Sequence, residues 1–168
     1  MTGHGAGIPA TLHDAVAPLS FLLGRWAGEG EGSYPTVAPF GYGEEITLSH
    51  VGKPFLAYAQ RTWSLDDGRP LHAETGYWRC ASPTHVELVV AHPTGVVELS
   101  EGPLTATALV MSSKTVSGTG SAKDVSAVVR RITVEDDRLE YELDMAAVGV
   151  PLTNHLRAVL RRVAVPPG

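Results

Sequence analysis

The sequence has a single cysteine, Cys80, in 168 residues. That excludes an internal disulfide and any zinc or iron–sulfur centre built from cysteines. No apolar run approaches the ~18 residues of a membrane-spanning helix. There is no excess of positive charge: 13 Lys and Arg against 18 Asp and Glu leave a net charge of −5 with histidine neutral. A general nucleic-acid binder needs a basic face, so that class is set aside and no nucleic-acid partner is expected. Charged residues are only 18% and hydrophobic residues 43%, too apolar a mix for a disordered chain. Met1-Thr2-Gly3-His4-Gly5-Ala6-Gly7 carries no basic region before an apolar stretch, so no secretory signal is expected. The expectation is one cytoplasmic domain with no membrane partner, long enough to bury a core or enclose a cavity.

Long helical patterning is also missing. Residues 1–10 are small and Gly-rich and are expected to be poorly ordered, with a single domain over 11–165. From Thr11 to Leu23, Leu12, Val16, Leu19 and Leu22 recur at helical spacing, with Thr11 as the capping residue. Pro18 divides this segment into two short turns. Beyond Gly24 the pattern is of strands rich in Val, Ile, Thr, Tyr and Trp. Turn signals fall at Gly52-Lys53-Pro54, Asp66-Asp67-Gly68, Ser82-Pro83, Pro93-Thr94-Gly95, Gly102-Pro103, Ser112-Ser113, Gly118-Thr119-Gly120, Asp136-Asp137 and Gly149-Val150-Pro151. They imply about ten short antiparallel strands, as a sandwich or a closed barrel. A barrel of that size leaves an interior that side chains do not fill.

The densest motif is Gly24-Arg25-Trp26-Ala27-Gly28-Glu29-Gly30-Glu31-Gly32-Ser33-Tyr34-Pro35-Thr36. Gly28, Gly30 and Gly32 share one face of a strand. A ligand or another backbone can lie close to that face, or the glycines only permit curvature. Trp26 has the same parity and can wall the base of a barrel. No helix follows Gly28-x-Gly30, so a dinucleotide-binding turn is excluded. Neither His-Glu-x-x-His nor Gly-x-Ser-x-Gly occurs, and Asp66-Asp67 and Glu135-Asp136-Asp137 read as solvated turns. Arg130-Arg131 and Arg161-Arg162 read as solvent-facing strand ends.

Of seven histidines, His155 stands out, in the last apolar strand Pro151-Leu152-Thr153-Asn154-His155-Leu156-Arg157-Ala158-Val159-Leu160. A neutral imidazole entering an apolar cavity is a good single ligand for haem iron. Period-2 alternation puts Leu156, Ala158 and Leu160 on one face and His155 on the other. Either a bulge near residue 154 re-aims His155, or the inward face is that of Val159. His72 reads first as a polar residue near a strand start, and second as a group reaching the far side of a cavity. Cys80 reads as a small, buried or half-buried hydrophobe.

Gly24-Arg25-Trp26-Ala27-Gly28-Glu29-Gly30 resembles the Gly-x-Trp-x-Gly-x-Gly signature of the nitrobindins. Tyr34-Pro35-Thr36, Val51-Gly52-Lys53-Pro54-Phe55, Leu71-His72-Ala73-Glu74-Thr75-Gly76-Tyr77 and Asn154-His155-Leu156 extend the resemblance from about Leu19 to Arg162. The resemblance implies an all-β fold, a ten-stranded antiparallel barrel like the fatty-acid-binding proteins. It implies one non-covalent, ferric haem b on a proximal histidine, here His155. It implies nitric oxide binding and isomerisation of peroxynitrite to nitrate at a five-coordinate iron, with His155 as the metal ligand and catalytic residue. A Thr–Lys pair at the haem edge maps onto Thr36 and Lys123, His72 onto the distal side, and Leu71, Tyr77 and Met145 onto the walls. No Cys-x-x-Cys-His occurs, so covalent attachment as in c-type cytochromes is excluded.

Two further readings remain open on the residues alone. One is a metal-free carrier of a lipophilic molecule, with Arg131 or Arg157 as an interior cation for a carboxylate. The other is a haem-based nitric oxide sensor without turnover. A homodimer through a barrel edge near Trp63 or Val96 is a further expectation.

Overall fold

The computed structural model describes residues 10–164. The disorder expected over residues 1–10 therefore lies, all but Ala10, outside the described residues. A 3-10 helix, Asp14–Leu22, precedes ten strands: β1 (Gly24–Tyr34), β2 (Val37–Ser49), β3 (Leu56–Ser64), β4 (Pro70–Ser82), β5 (His85–Ala91), β6 (Val96–Thr105), β7 (Ala108–Gly118), β8 (Val125–Glu135), β9 (Arg138–Ala147) and β10 (Val150–Arg162). Each strand pairs antiparallel with its sequence neighbours, and β1 pairs with β10 to close the barrel. The all-β, ten-stranded antiparallel barrel expected from the resemblance is the observed fold.

The helix is one element rather than two turns. Its cap is His13, not Thr11: His13 Nδ1 accepts from the Ala15 amide at 3.1 Å. Pro18 sits inside it, at the loss of one backbone donor. Two turn expectations also fail. Gly102-Pro103 lies within β6 and Ser112-Ser113 within β7. The true turns missed are Pro35-Thr36 and Ala106-Thr107. Two errors of each kind cancel, so the strand number comes out right. Gly102 reads as a turn residue, but it serves a close approach: a Cβ there would overlap the Val110 carbonyl oxygen.

Neither Trp63 nor Val96 lies on a free sheet edge, because Trp63 opposes Gly43 and Val96 opposes Gly118. The edge invoked for a homodimer is thus absent at both places. No helix among the described residues is long and apolar enough to cross a membrane.

On the glycine face of β1 the close approach is made by the neighbouring strands. A Cβ on Gly30 would overlap the Tyr42 ring, and one on Gly32 the Phe40 ring, both rings arriving from β2. A Cβ on Gly28 would overlap the Val159 carbonyl oxygen of β10. These glycines let two aromatics lie flat on the wall and let the closing strand pair tightly.

One end of the barrel is shut by the helix. Val16, Leu19 and Leu22 are buried with Trp26, whose indole N–H donates to the Leu22 carbonyl at 2.9 Å. Arg162 is no solvent-facing strand end. Its guanidinium lies 4.1 Å from the Trp26 ring centroid and donates to the Phe21 and Leu23 carbonyls. Trp26 does wall the base, as its parity implies.

Gly28→Ala is expected to destabilise by about 1–3 kcal/mol, because backbone of β10 must move. Gly120→Ala, with no atom within 4 Å of its added Cβ, is expected to stay within about 0.5 kcal/mol of wild type. Urea denaturation midpoints of the two variants check this.

Candidate functional site

The barrel encloses a cavity of about 1190 Å³, above the ~300–1,000 Å³ usual for small-molecule sites. Its floor against the helix is Leu22, Ile46, Leu48 and Trp78. Its mouth lies at the opposite end, among the connections that carry Thr36, Arg69, Thr94, Lys123 and Val148. Phe40, Val128, Ile132, Leu139, Leu143, Met145 and Leu156 make an apolar wall between them.

His155 lines this cavity. The alternation conflict is resolved by a bulge. Asn154 opposes Asp144 and Leu156 opposes Leu143, so His155 is the extra residue. His155 and Leu156 therefore both turn inward, while Arg157 and Val159 are exposed. Asn154 faces outward and donates to Asp144 at 3.0 Å. Tyr34 braces the bulge from β1: its hydroxyl accepts from the Ala147 amide at 2.9 Å and donates to the Met145 carbonyl at 3.1 Å. The Tyr34 and His155 rings meet edge to face, centroids 5.3 Å apart.

His155 Nδ1 lies 3.0 Å from the Ser33 carbonyl oxygen. A carbonyl only accepts, so the imidazole proton sits on Nδ1 and Nε2 carries a lone pair. That tautomer, held by a backbone carbonyl, is the form in which histidine binds a metal.

The other expected residues divide. Thr36, Lys123 and Leu71 are exposed at the cavity mouth. Met145 and His72 line the cavity. Tyr77 does not. It is half exposed on the outer face and packs on Phe55, because it alternates with Gly76 and Trp78, whose parity points inward. His72 is both the third residue of β4 and part of the cavity lining.

The largest surprise is inside. Arg130, expected at a solvent-facing strand end, is buried and crosses the interior from β8. It donates to Glu74 on β4 at 3.0 and 3.1 Å and to Glu98 on β6 at 2.8 and 3.2 Å. Tyr58 donates to Glu74 at 2.8 Å and Ser100 to Glu98 at 2.6 Å. Burial disfavours both carboxylates in their ionised form, but Arg130 outweighs it and holds both below the usual carboxylate range. Burial likewise works against the Arg130 charge, and the two glutamates overcome it. Arg131 and Arg157, the cations expected for a carrier, are exposed and pair with Asp144 and Glu142. Arg130 is already saturated by carboxylates. The other cations on the cavity lining among the described residues, Arg69 and Lys123, stand at its mouth.

A second polar cluster sits nearby. Glu44 accepts from Gln60 at 2.9 Å and from Tyr141 at 2.7 Å, and Tyr141 bonds to Tyr42 at 2.8 Å. Burial pushes Glu44 up to about 7 against these bonds. The residues missed by sequence reasoning are thus Glu44, Gln60, Glu98, His92, Arg130 and Tyr141. The available signal was parity: each sits at an inward position of its strand or beside one.

A family model described as "THAP4-like, heme-binding beta-barrel domain" matches residues 15–162. The chain belongs to that family. The nitrobindin resemblance is borne out by its relatives. This family member is 50% identical over 159 residues to "Peroxynitrite isomerase 1" of Mycolicibacterium paratuberculosis, covering 92% of this chain and 99% of that protein. It is 50% identical over 155 residues to "Peroxynitrite isomerase" of Nocardia farcinica, covering 90% and 92%. The crystal structure of Rv2717c from M. tuberculosis superposes with a TM-score of 0.86 at 45% identity, over 92% of this chain and all of that one.

Two outcomes are expected. Arg130→Met leaves two buried carboxylates without a cation and lowers stability by about 3–5 kcal/mol in urea denaturation. Glu44 has its pKa raised on folding, from 4.5 to about 7. Across that window the folded state keeps a proton that the unfolded state releases, so stability falls as pH rises. Glu44→Gln is expected to remove that part of the loss, on the order of 3 kcal/mol between about pH 5 and pH 8. Melts of wild type and variant at both pH values give the difference.

Proposed function

We propose that this chain holds one haem b non-covalently through His155 and isomerises peroxynitrite to nitrate, with nitric oxide as a further ligand. The observation that carries the reading is the His155 bulge. It places an imidazole in an apolar cavity with its Nδ1 proton committed to the Ser33 carbonyl. The family match and the names of the relatives support the same cofactor and reaction. The residues fit the group: a lone-pair nitrogen, a large cavity with an apolar wall beside His155, and no cysteine pair for covalent attachment.

When bound through one imidazole, ferric haem supplies a Lewis-acidic iron with one open position for the peroxo oxygen of peroxynitrite or for nitric oxide. The chain supplies the rest. Peroxynitrite and nitrate have the same atoms and charge, so no proton, electron or second substrate enters the overall balance. A general acid is therefore not required, and His155 can remain a neutral donor throughout. Its bond to Ser33 raises the basicity of Nε2 and fixes the ring. Phe40, Met145 and Leu156 would keep water from the site, with Leu71 at its mouth. Lys123 and Thr36 line the mouth, where they suit the haem carboxylates. A cytoplasmic setting fits the composition.

Haemin titration of wild type and His155→Ala tests this. Wild type is expected to develop a one-to-one Soret band. His155→Ala is expected to lose it or to weaken binding beyond the ~10–100-fold that loss of an outer-shell partner costs. A wild type without a Soret band would sink the haem reading. A haem-loaded protein that fails to speed nitrate formation in stopped-flow would leave the sensor reading.

A further inference from the structure

Across the cavity from His155 lies a group of side chains that haem ligation does not use. β4 is four strands from β10 in one direction around the barrel and six in the other, so the two stand nearly opposite. His72 and Glu74 point inward from β4, and His92 enters from the β5–β6 connection. His72 Nε2 is 3.0 Å from His92 Nδ1. Glu74 Oε1 is 3.7 Å from His92 Nδ1 and 4.0 Å from His72 Nε2. A tetrahedral ion with bonds of about 2.0–2.2 Å spaces its donors by about 3.3–3.6 Å. The three atoms already outline one face of such a tetrahedron, within a few tenths of an ångström.

The surroundings suit a cation. His92 Nε2 lies 3.3 Å from Glu98 Oε2. The carboxylate fixes the proton on Nε2 and turns the Nδ1 lone pair toward the trio, the carboxylate–histidine arrangement of metal sites. His72 Nε2–H then donates into that lone pair. An ion would take the place of this hydrogen, the proton moving to His72 Nδ1. Glu74 is ionised and oriented by Arg130 and Tyr58, and Oε1 accepts only one hydrogen bond, from Arg130. Charge points the same way. Within this cluster, Glu74 and Glu98 against Arg130 leave one net negative charge with both histidines neutral. An uncompensated buried charge is costly, and a bound cation relieves it.

We propose that His72, Glu74 and His92 form a site for one borderline divalent transition-metal ion, Zn²⁺ fitting best, distinct from the His155 site. Two imidazoles and one carboxylate with a vacant fourth position are the donor set of catalytic rather than closed structural zinc sites. All three residues line the cavity, so the vacant position faces the same space that His155 faces. The site does not rest on haem binding.

Calorimetric titration of the purified 168-residue chain with ZnCl₂ tests it, on wild type, His72→Gln, His92→Gln and His155→Ala. Far-UV circular dichroism checks the fold of each. His72→Gln alters the more exposed histidine, with a side-chain exposure of 34% against 11% for His92, and is the variant least prone to misfold. Wild type and His155→Ala are expected to bind one Zn²⁺ per chain. Both glutamine variants are expected to weaken it by more than about 100-fold. Co²⁺ in place of Zn²⁺ is expected to show the visible bands of tetrahedral coordination. Absence of stoichiometric zinc in wild type, zinc binding that survives both glutamine variants, or zinc lost with His155→Ala would each overturn the proposal. His155→Ala separates the two readings, since it removes the proposed haem ligand and spares this site.

Discussion

A closed ten-stranded barrel is too wide for its own side chains to fill, so whatever polar group points inward must find its partner inside. Inward positions alternate along the strands except at bulges such as that of β10, and several are ionisable: Glu44, Glu74, Glu98 and Arg130. Water cannot serve these groups as it would on the outer face. Arg130 meets that demand by reaching from β8 to both Glu74 and Glu98, and Tyr58 and Ser100 complete the carboxylates. The arrangement ties three distant strands together through the middle of the barrel. It also divides the interior into an apolar side and a polar side.

The same constraint shapes the His155 side. An imidazole on a strictly alternating β10 would face solvent, with Arg157 and Val159. One extra residue in the ladder turns it inward without turning Leu156 out. The bulge frees the ring to find a backbone carbonyl on β1, and Tyr34 pins β1 to β9 beside it. The glycines of β1 contribute at one remove. They let Tyr42 and Phe40 lie against the wall, leaving volume in front of His155 that larger side chains on β1 would occupy.

Much of the fold was legible. Strand propensity and turn chemistry imply about ten antiparallel strands, and the Gly-Trp-Gly motif carries the family. The turn assignments show the limit. Gly102-Pro103 has the composition of a turn, yet it sits inside β6, where a close approach by β7 admits no side chain. Pro35-Thr36 is a true turn that closes the glycine-rich motif, marked by one proline alone. For the site, His155 was legible as a residue type in an apolar strand, and the bulge was one of two ways to place it. Tyr77 shares the motif segment with His72 and Glu74 but not their face: parity sends Trp78 in and Tyr77 out.

What the sequence determined by itself is what local chemistry can encode: strands, most turns, the absence of cysteine chemistry, and one histidine in an apolar setting. The partners of Arg130 lie 56 and 32 residues away, and those of Glu44 lie 16 and 97 residues away. No spacing along the chain reveals such pairs. They exist because closure of β1 on β10 makes one enclosed interior, in which inward residues of separate strands face one another across low-dielectric space. Arg130 reads as a surface cation on its own strand and becomes the centre of a buried cluster only when the barrel closes.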